Sequence, residues 1–297
     1  MKKAFWFVQF LLIILFAIPL AVIPYNLSLR VGGILGTLLF YAWKSRRNIA
    51  LTNLRDAIAR NAVSVQEDPQ FIIRQNFSNY VKSVVEIIKI YFGRGNEIIN
   101  SVDVRGLEHF EKASGKGKGV IFITGHCGNW ELLALVAAER TQKAKIVARR
   151  QNNPYINRFM EKTREKYGNT VIYKKGALKQ ILSSLRKNEV VGILIDQNVI
   201  SSEGVVIEFL GKKAYTTKMP ALIAMKTGAP VIPGFIQRVN GGHRIEFLEE
   251  IELSSSEDTD EAVISNTLAY SQSVENYIKN NPTEWLWMHR RWKRPKD

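Results

Sequence analysis

Short runs of β-branched and other apolar residues alternate with helical segments from about residue 102 to residue 236, and this alternation constrains the fold most. The runs are Val120–Thr124, Lys145–Ala148, Val171–Tyr173, Val190–Ile195 and Val231–Ile236. The segments between them with helical periodicity are Trp130–Arg140, Pro154–Tyr167, Ala177–Lys187 and Thr217–Thr227. Such alternation predicts an α/β fold, with a mostly parallel central sheet flanked by helices.

Further elements are predicted on both sides of this region. Ser45–Arg60 and Asp68–Phe92 repeat apolar residues at three- and four-residue steps, as helices do. Arg244–Leu248 is predicted as an edge strand, and Glu257–Asn280 as a C-terminal helix. In open sheets of this class a site lies at the carboxyl ends of the strands.

The N-terminal segment is apolar enough to enter a membrane. Phe5–Ile23 follows Lys2 and Lys3 and precedes no convincing small-x-small cleavage site, so it is predicted to be a retained single anchor. Basic residues after the run outnumber those before it, which places the following body on the cytoplasmic side. A second apolar segment, Val31–Trp43, is short for a span and either lies in the interface or packs beside the first.

These patterns divide the chain into three parts. Residues 1–44 are predicted to be a membrane anchor with an interfacial segment, and residues 45–100 a helical segment. Residues 101–297 are predicted to be an α/β domain with a basic, aromatic C-terminal tail. At 297 residues, one large core is more consistent with the length than two equal domains.

The net charge limits the kinds of binding partner, and the cysteine and histidine content limits disulfides and metal sites. The formal net charge of +15 predicts an anionic partner, which is nucleic acid, anionic lipid or an acidic carrier protein. The helical group Arg158, Lys162, Arg164 and Lys166 either meets such a partner or is a solvated face. One cysteine permits no intrachain disulfide, and four scattered histidines do not predict a metal site.

A candidate general base follows the first apolar run. Asn129 is a good N-cap, so a helix is predicted to begin at Trp130 with Glu131 in its first turn. His126 then lies in a glycine-flanked loop and can fold back toward Glu131, whose carboxylate would fix the imidazole tautomer. The alternative is a structural loop histidine and a glutamate favoured by the helix dipole. The spacing alone leaves both open.

Two other segments carry candidate site residues. Asp196 and Gln197 follow the run Val190–Ile195 and either line a site or form a capped turn, with Asp196 predicted to hold Arg149 or a substrate hydroxyl. The C-terminal segment combines tryptophans with Arg290, Arg291 and Lys293, as suits a membrane interface and anionic head groups. The same residues suit single-stranded nucleic acid, or a tail packed on the core by its tryptophans. The apolar N-terminus favours the membrane over nucleic acid.

These residues carry a resemblance. Gly125–Glu131 resembles the His-x-x-x-x-Asp/Glu motif of the lysophospholipid acyltransferase superfamily, and its Gly-Asn-Trp-Glu ending resembles the bacterial lipid A biosynthesis acyltransferases of the lauroyl/myristoyl transferase type. Four later segments agree with that family in order: Ala148–Pro154, Ile195–Gln197, Gly228–Pro233 and Pro282–Lys293. Arg150 stands where the family often has proline, and Cys127 where it usually has phenylalanine or another apolar residue.

The resemblance implies a glycerolipid acyltransferase-like fold and the transfer of a fatty acyl chain. The donor would be a thioester of acyl carrier protein or coenzyme A, and the acceptor a hydroxyl of an anionic membrane glycolipid, a lipid A precursor. His126 would be the general base oriented by Glu131. The residues implied to stabilise the oxyanion or to contact substrate are Arg149, Asn129, Asp196 and Gln197.

The resemblance also implies a setting in the bacterial inner membrane, with no bound cofactor and no nucleic acid partner. Rival acceptors are a phosphatidylinositol mannoside and a lysophospholipid. A hydrolase that passes the acyl group to water and a basic membrane-tethered binding module are rivals of other classes.

Overall fold

The computed structural model describes residues 2–174, 176–240 and 242–293. It is an α/β structure with helices on both faces of a central sheet, which confirms the predicted fold class. The strands are β1 (Asp103–Arg105), β2 (Val120–Thr124), β3 (Ala144–Ala148), β4 (Thr170–Tyr173), β5 (Val190–Leu194), β6 (Gly204–Phe209), β7 (Lys212–Thr217), β8 (Val231–Val239) and β9 (Gly242–Phe247).

The described residues form eleven α-helices, which cover the sheet or precede it in the chain. They are α1 (Lys2–Val22), α2 (Tyr25–Ala42), α3 (Lys44–Ala59), α4 (Pro69–Tyr91), α5 (Asn96–Asn100), α6 (Leu107–Ser114), α7 (Trp130–Arg140), α8 (Pro154–Glu165), α9 (Ala177–Arg186), α10 (Met219–Thr227) and α11 (Thr259–Asn280).

The main sheet has the strand order β1-β9-β8-β2-β5-β3-β4. The strands from β8 to β4 are all parallel to their neighbours, while β9 runs antiparallel to β8. The predicted edge strand Arg244–Leu248 corresponds to β9, but it is not an edge. The three-residue strand β1 pairs parallel with β9 and takes the edge position. A strand this short shows no alternation by which the sequence would reveal it.

Strand β2 is buried on both faces because each face packs on a different set of helices. Val120 and Phe122 pack with α6 and α7, while Ile121 and Ile123 pack with α9, α10 and α11. This burial explains why the run is continuously apolar rather than alternating with polar residues. The carboxyl end of β2 therefore emerges from the centre of the core.

A hairpin formed by β6 and β7 lies outside the main sheet. Its turn residues, Leu210 and Gly211, have φ values of 49° and 73°, as a two-residue hairpin turn requires. The predicted helix Thr217–Thr227 accordingly begins at Met219, because residues 212–217 pair with β6. The hairpin itself is absent from the sequence-based prediction.

Helix α1 lies against the body of the protein at its N-terminal end. The Asn153 amide donates to the Trp6 carbonyl and to Gln9 Oε1, both at 3.0 Å. The ring of Tyr155 packs against Phe7 at 5.2 Å between centroids. Asn153 is also the N-cap of α8, so one side chain joins α1 to the start of that helix.

The C-terminal end of α1 is also fastened. Lys89, on α4, donates through Nζ to the carbonyl oxygens of Ala21 and Ile23 at 3.2 and 2.6 Å, and thereby satisfies acceptors that the helix end leaves free. The opposite side of α1 is exposed and apolar. Among the described residues, α1 is the one helix long and apolar enough to cross a membrane.

Helix α2 packs on α4 through a glycine face. A Cβ at Gly36 would lie 2.6 Å from the Phe77 carbonyl oxygen, and one at Gly32 would lie 3.0 Å from Val85 Cγ2. Ile34 and Leu38, on the other side of α2, are about 60% exposed, at 61% and 58%. The segment Val31–Trp43 thus packs on α4 with one face and leaves an apolar face free.

Replacing Gly36 with alanine is expected to destabilise the protein by about 1–3 kcal/mol, because the added methyl group must displace the α4 backbone rather than a flexible side chain. Thermal unfolding in detergent measures the effect. Gly33, on the same helix, supplies the control, because a Cβ there would meet the flexible end of the Lys82 side chain at 3.0 Å rather than backbone. An unchanged melting temperature in G36A would show that α2 does not pack this closely.

Candidate active site

The loop after β2 is fixed by close contacts on both sides of His126. A Cβ at Gly128, where φ is +54°, would lie 2.1 Å from the Ile236 carbonyl oxygen, so only glycine fits there. The Gly128 N–H donates to the Glu284 carbonyl at 2.8 Å, and the Leu286 N–H donates to the His126 carbonyl at 3.0 Å. The loop that carries His126 is thus tied to β8 and to the C-terminal segment.

Asn129 caps α7, as predicted. Its Oδ1 accepts the Leu132 N–H at 3.1 Å, and α7 begins at Trp130. The Asn129 Nδ2 donates to Glu86 Oε2 at 2.9 Å, and the side chain is buried. Both polar ends of this side chain are therefore occupied, so a role of Asn129 toward an oxyanion would rest on backbone N–H groups at the start of α7.

His126 is paired with Asp196. His126 Nδ1 lies 2.8 Å from Asp196 Oδ1, and the His126 backbone N–H donates to Asp196 Oδ2 at 3.0 Å. The sheet explains the pairing. Thr124 of β2 lies opposite Leu194 of β5, and His126 and Asp196 each lie two positions further along these neighbouring strands. A carboxylate at Nδ1 favours the tautomer with its proton on Nδ1 and a free lone pair on Nε2.

The expectation that Glu131 orients His126 is therefore corrected. Glu131 points to α8 and forms a bidentate pair with Arg164, with Arg164 Nε to Glu131 Oε2 at 2.8 Å and Arg164 Nη2 to Glu131 Oε1 at 2.5 Å. The first turn of α7 directs Glu131 away from the loop, and Asp196 already occupies His126 Nδ1. The expectation that Asp196 holds Arg149 or a substrate hydroxyl is corrected by the same contact.

The charge state of Asp196 follows from these contacts. Burial opposes its ionisation, but the positive charge and hydrogen bonds of His126, together with the Trp285 indole N–H, outweigh burial and hold its pKa well below the usual range. The indole Nε1 donates to Asp196 Oδ2 at 2.8 Å. Asp196 is an anion at neutral pH.

On the other side of the imidazole, Gln197 Nε2 lies 3.0 Å from His126 Nε2. With the proton on Nδ1, the Gln197 amide donates to the Nε2 lone pair. The ring of Trp130 packs edge-on against the imidazole at 5.0 Å between centroids. Gln197 thus borders Nε2 of the imidazole.

A cavity of about 540 Å³, lined by both apolar and polar residues, opens beside His126. It lies between α7 and the face of the sheet formed by β2, β5 and β3, and its inner wall includes Phe110, Phe122 and Phe247. Arg149 and Arg164 are among the polar residues that line it. Arg149 is exposed and follows β3, as its position in the sequence predicts. Clefts of this size and lining are typical of sites for small apolar ligands.

The basic C-terminal residues are separated by the structure. Arg290 and Lys293 are exposed, but Arg291 is completely buried. Its guanidinium donates to the Tyr215 carbonyl at 2.5 Å and to the Thr216 hydroxyl, and it stacks over Phe209 at 4.6 Å. The expectation that Arg291 meets anionic substrate or membrane is therefore wrong. Arg291 instead fastens the segment to the β6–β7 hairpin.

Sequence reasoning did not identify Glu86 as part of the site. This completely buried α4 residue accepts hydrogen bonds from Tyr25 Oη at 2.8 Å, Asn129 Nδ2 at 2.9 Å, and the Arg238 guanidinium at 2.7 and 2.9 Å. His243 Nε2 lies 2.9 Å from Glu86 Oε1. A charged residue in the apolar stretch Val84–Ile88 was the available signal, because such a residue must find partners.

The model of the family described as "Bacterial lipid A biosynthesis acyltransferase" matches residues 2–294. The chain belongs to this family. A Haemophilus influenzae lipid A biosynthesis acyltransferase is 25% identical over 97% of this chain and 88% of its own length. The Escherichia coli lipid A biosynthesis lauroyltransferase is 26% identical over 91% of this chain and 87% of its own. A Mycolicibacterium smegmatis phosphatidylinositol mannoside acyltransferase is 23% identical over 83% and 81%.

Among solved structures, a 1-acyl-sn-glycerophosphate acyltransferase from Thermotoga maritima aligns with a TM-score of 0.40 and 15% identity, over 86% of this chain and 99% of that chain. The family match confirms the predicted membership in the lipid A biosynthesis acyltransferases. It makes the chain an enzyme that acylates a lipid A-type acceptor.

Glu284 gives this acyltransferase a pH-dependent stability. Burial raises the pKa of its carboxyl to about 7, with Arg238 and Lys82 opposing the shift and Glu86 adding to it. The folded protein therefore holds a proton that the unfolded chain, with a pKa near 4.5, releases. The resulting stability is complete below the unfolded pKa and is lost as the pH rises through the folded pKa.

Replacing Glu284 with glutamine is expected to remove this loss. Between about pH 5 and about pH 8 the melting temperature of the wild type should fall relative to that of E284Q. Differential scanning fluorimetry in detergent at matched ionic strength measures the difference. Glu108, which is exposed, is the matched control, and E108Q should follow the wild type. Parallel curves for E284Q and the wild type would contradict a raised pKa.

Proposed function

We propose that this chain transfers a fatty acyl group from an acyl thioester to a hydroxyl of a lipid A precursor, with His126 as the general base. The observation that carries the proposal is a histidine with its lone pair on Nε2, held by an ionised carboxylate beside a cavity with an apolar inner wall. The cavity accounts for the acyl chain, and the base accounts for activation of a hydroxyl. Family membership supports the class of acceptor.

In the proposed reaction, His126 Nε2 takes the proton of the acceptor hydroxyl while its oxygen attacks the thioester carbonyl carbon. Asp196 holds the imidazole and stabilises the imidazolium that forms. The tetrahedral intermediate then collapses, the carbon–sulfur bond breaks, and the leaving thiolate takes the proton from His126. The products are the acylated lipid and a free thiol.

Several groups that line the cavity would take part in this reaction. Arg149 lines the cavity beyond β3 and would stabilise the oxyanion, together with N–H groups at the start of α7. Gln197 occupies His126 Nε2 in the structure, so the acceptor hydroxyl would replace its amide there. Glu131 would contribute by holding Arg164 in the cavity wall.

The proposed setting is the cytoplasmic face of a bacterial inner membrane, with α1 as the anchor. Support comes from the apolar exposed side of α1 and from the lipid substrates named for the relatives. The same proposal names a thioester of acyl carrier protein or of coenzyme A as the donor, because both carriers are anionic and suit a chain of charge +15.

Purified protein incubated with radiolabelled acyl donors tests the proposal. Acyl carrier protein and coenzyme A thioesters are each offered with a lipid A precursor, a phosphatidylinositol mannoside or a lysophospholipid. Labelled lipid A precursor supports the proposal, and label in another lipid alone would replace the acceptor. Labelled free fatty acid without labelled lipid indicates a hydrolase, and an intact thioester with bound lipid indicates a binding module.

His126→Ala is the decisive variant in this assay, and His109→Ala is its matched control, because His109 lies on α6 beside Glu108. H126A should lose transfer while H109A retains it. Full transfer by H126A would overturn the proposed mechanism.

A further inference from the structure

The segment Glu284–Leu286 pairs with the loop that carries His126. Cys127 and Trp285 form an antiparallel β-bridge, flanked by the two backbone hydrogen bonds described above for Gly128 and Leu286. His126 is therefore held at its backbone by a segment about 160 residues later in the chain. The bridge turns the side chain of Trp285 toward the end of β5.

Trp285 donates one of the three hydrogen bonds that the Asp196 carboxylate accepts. The carboxylate Oδ1 faces His126 Nδ1, while Oδ2 accepts both the His126 backbone N–H and the Trp285 indole N–H. Three donors thus surround an aspartate that is 3% exposed. A carboxylate with both oxygens occupied in this way cannot rotate without breaking a hydrogen bond, and breaking a buried one is costly.

The backbone that carries the Trp285 indole is held by side chains from two helices. Asn76, on α4, donates through Nδ2 to the carbonyl oxygens of Trp285 and Thr283 at 2.6 and 2.9 Å. Asn53, on α3, donates to the carbonyl of Trp287 at 2.8 Å. The helices that precede the sheet in the chain therefore fix the backbone from which the Trp285 side chain reaches Asp196.

We propose that Trp285 is a positioning residue for catalysis, which fixes the Asp196 carboxylate so that it orients His126 for proton transfer. The inference rests on the proposed function of His126 as the base. Trp285 touches neither substrate nor the reacting atoms; it acts through Asp196. A tryptophan that only fills the core would need no acceptor at Asp196, and the neighbouring Trp287 shows that alternative.

Trp287 is a closely matched control. Its ring meets that of Trp285 edge-on at 4.7 Å, both side chains are at most 1% exposed, and both donate an indole hydrogen bond. Trp287 Nε1 donates to the Pro282 carbonyl at 2.7 Å rather than to the active-site carboxylate. Replacing either residue with phenylalanine removes similar core volume and one hydrogen bond. The two differ in the acceptor of that bond, and Trp285 also packs against Phe209 and Trp292.

The test compares W285F and W287F by melting temperature, kcat, KM and the pH dependence of kcat/KM. Similar decreases in melting temperature are expected. The kcat of W285F should fall by about tenfold to a hundredfold with little change in KM, whereas W287F should stay within about threefold of the wild type. The acid limb of the W285F profile should move to higher pH, because a carboxylate without the indole donor holds the imidazolium proton more strongly.

A second variant removes the N–H without removing volume. Incorporation at position 285 of a tryptophan isostere with sulfur in place of the indole N–H should reproduce the lower kcat and the shifted acid limb at a wild-type melting temperature. Wild-type kcat and an unshifted profile in this variant would overturn the proposal. If W285F proves too unstable to purify, the isostere alone decides.

The outcome for His126 separates this inference from the proposed function. An inactive H126A with a fully active isostere at position 285 would leave the proposed function intact and reject the role of Trp285. An active H126A would reject the base, and the inference with it. Equal losses of kcat in W285F and W287F, in step with stability, would assign Trp285 to packing alone.

Discussion

Asp196→Asn is expected to lower kcat by about 10³–10⁴-fold, because the side-chain amide of the variant would present a donor to His126 Nδ1 in place of an acceptor. The imidazole would then carry its proton on Nε2, where the free lone pair is needed to take the hydroxyl proton. Asparagine has nearly the same volume as aspartate, so packing in this buried position should change little. Radiolabelled acyl transfer under saturating donor measures kcat.

Glu131→Gln is the variant that distinguishes the role of Glu131 from that of Asp196. Glu131 contacts Arg164 and not His126, so E131Q should leave the pH dependence of kcat/KM unchanged. Its effects should appear in stability and in KM, because Arg164 would lose its charge partner in the cavity wall. A normal kcat for D196N together with a shifted acid limb for E131Q would restore the role expected for Glu131 from the spacing of the motif.

Glu86→Gln is expected to destabilise the protein by about 3–5 kcal/mol, because it removes the buried anion opposite the Arg238 guanidinium and His243. Burial alone would raise the pKa of Glu86, but the charges and hydrogen bonds of Arg238 and His243 outweigh it and hold that pKa well below its usual range. Chemical denaturation in detergent measures the free energy of unfolding. Asn129 would also lose a charged acceptor, so kcat should fall further than stability alone explains.

An exposed carboxylate supplies the control for Glu86. Asp103 also pairs with two cations, Arg105 and Arg244, but is about half exposed, at 47% for its side chain. D103N should change the free energy of unfolding little, because solvent already screens exposed ion pairs. The double variant E86Q/R238Q should be more stable than the sum of the single effects predicts, since neither charge is then left alone. Additive losses would contradict a buried ion pair.

The elements of the fold that depend on local sequence were predicted well. Val120–Thr124 and the helix that begins at Trp130 have the bounds expected from apolar runs and from the Asn129 cap. Those signals are local, because an apolar run and a helix cap are each recognised from a few consecutive residues. The β6–β7 hairpin was missed, although its Leu210-Gly211 turn is a recognisable place for positive φ values.

The partner of His126 depends on long-range order instead. Alternation in the sequence predicted the strands but not that β5 lies next to β2, and that adjacency brings Asp196 to the imidazole. The resemblance to the His-x-x-x-x-Asp/Glu motif therefore favoured Glu131, which is near in sequence but turned toward α8. Arg291 was misread for a similar reason, because its acceptors lie on a hairpin more than 70 residues earlier.

The same dependence on distant contacts orders the assembly of the enzyme during synthesis. Helix α1 and the helices that follow it are synthesised first, and the loop with His126 is synthesised before half of the chain is made. The hydrogen bonds from Arg46 to the Met288 carbonyl and from Leu286 to His126 span 242 and about 160 residues. Pairings this distant form late in folding. The loop that carries His126 is therefore completed only when the C-terminal segment docks, so we expect acyl transfer to begin only after Trp285 has docked.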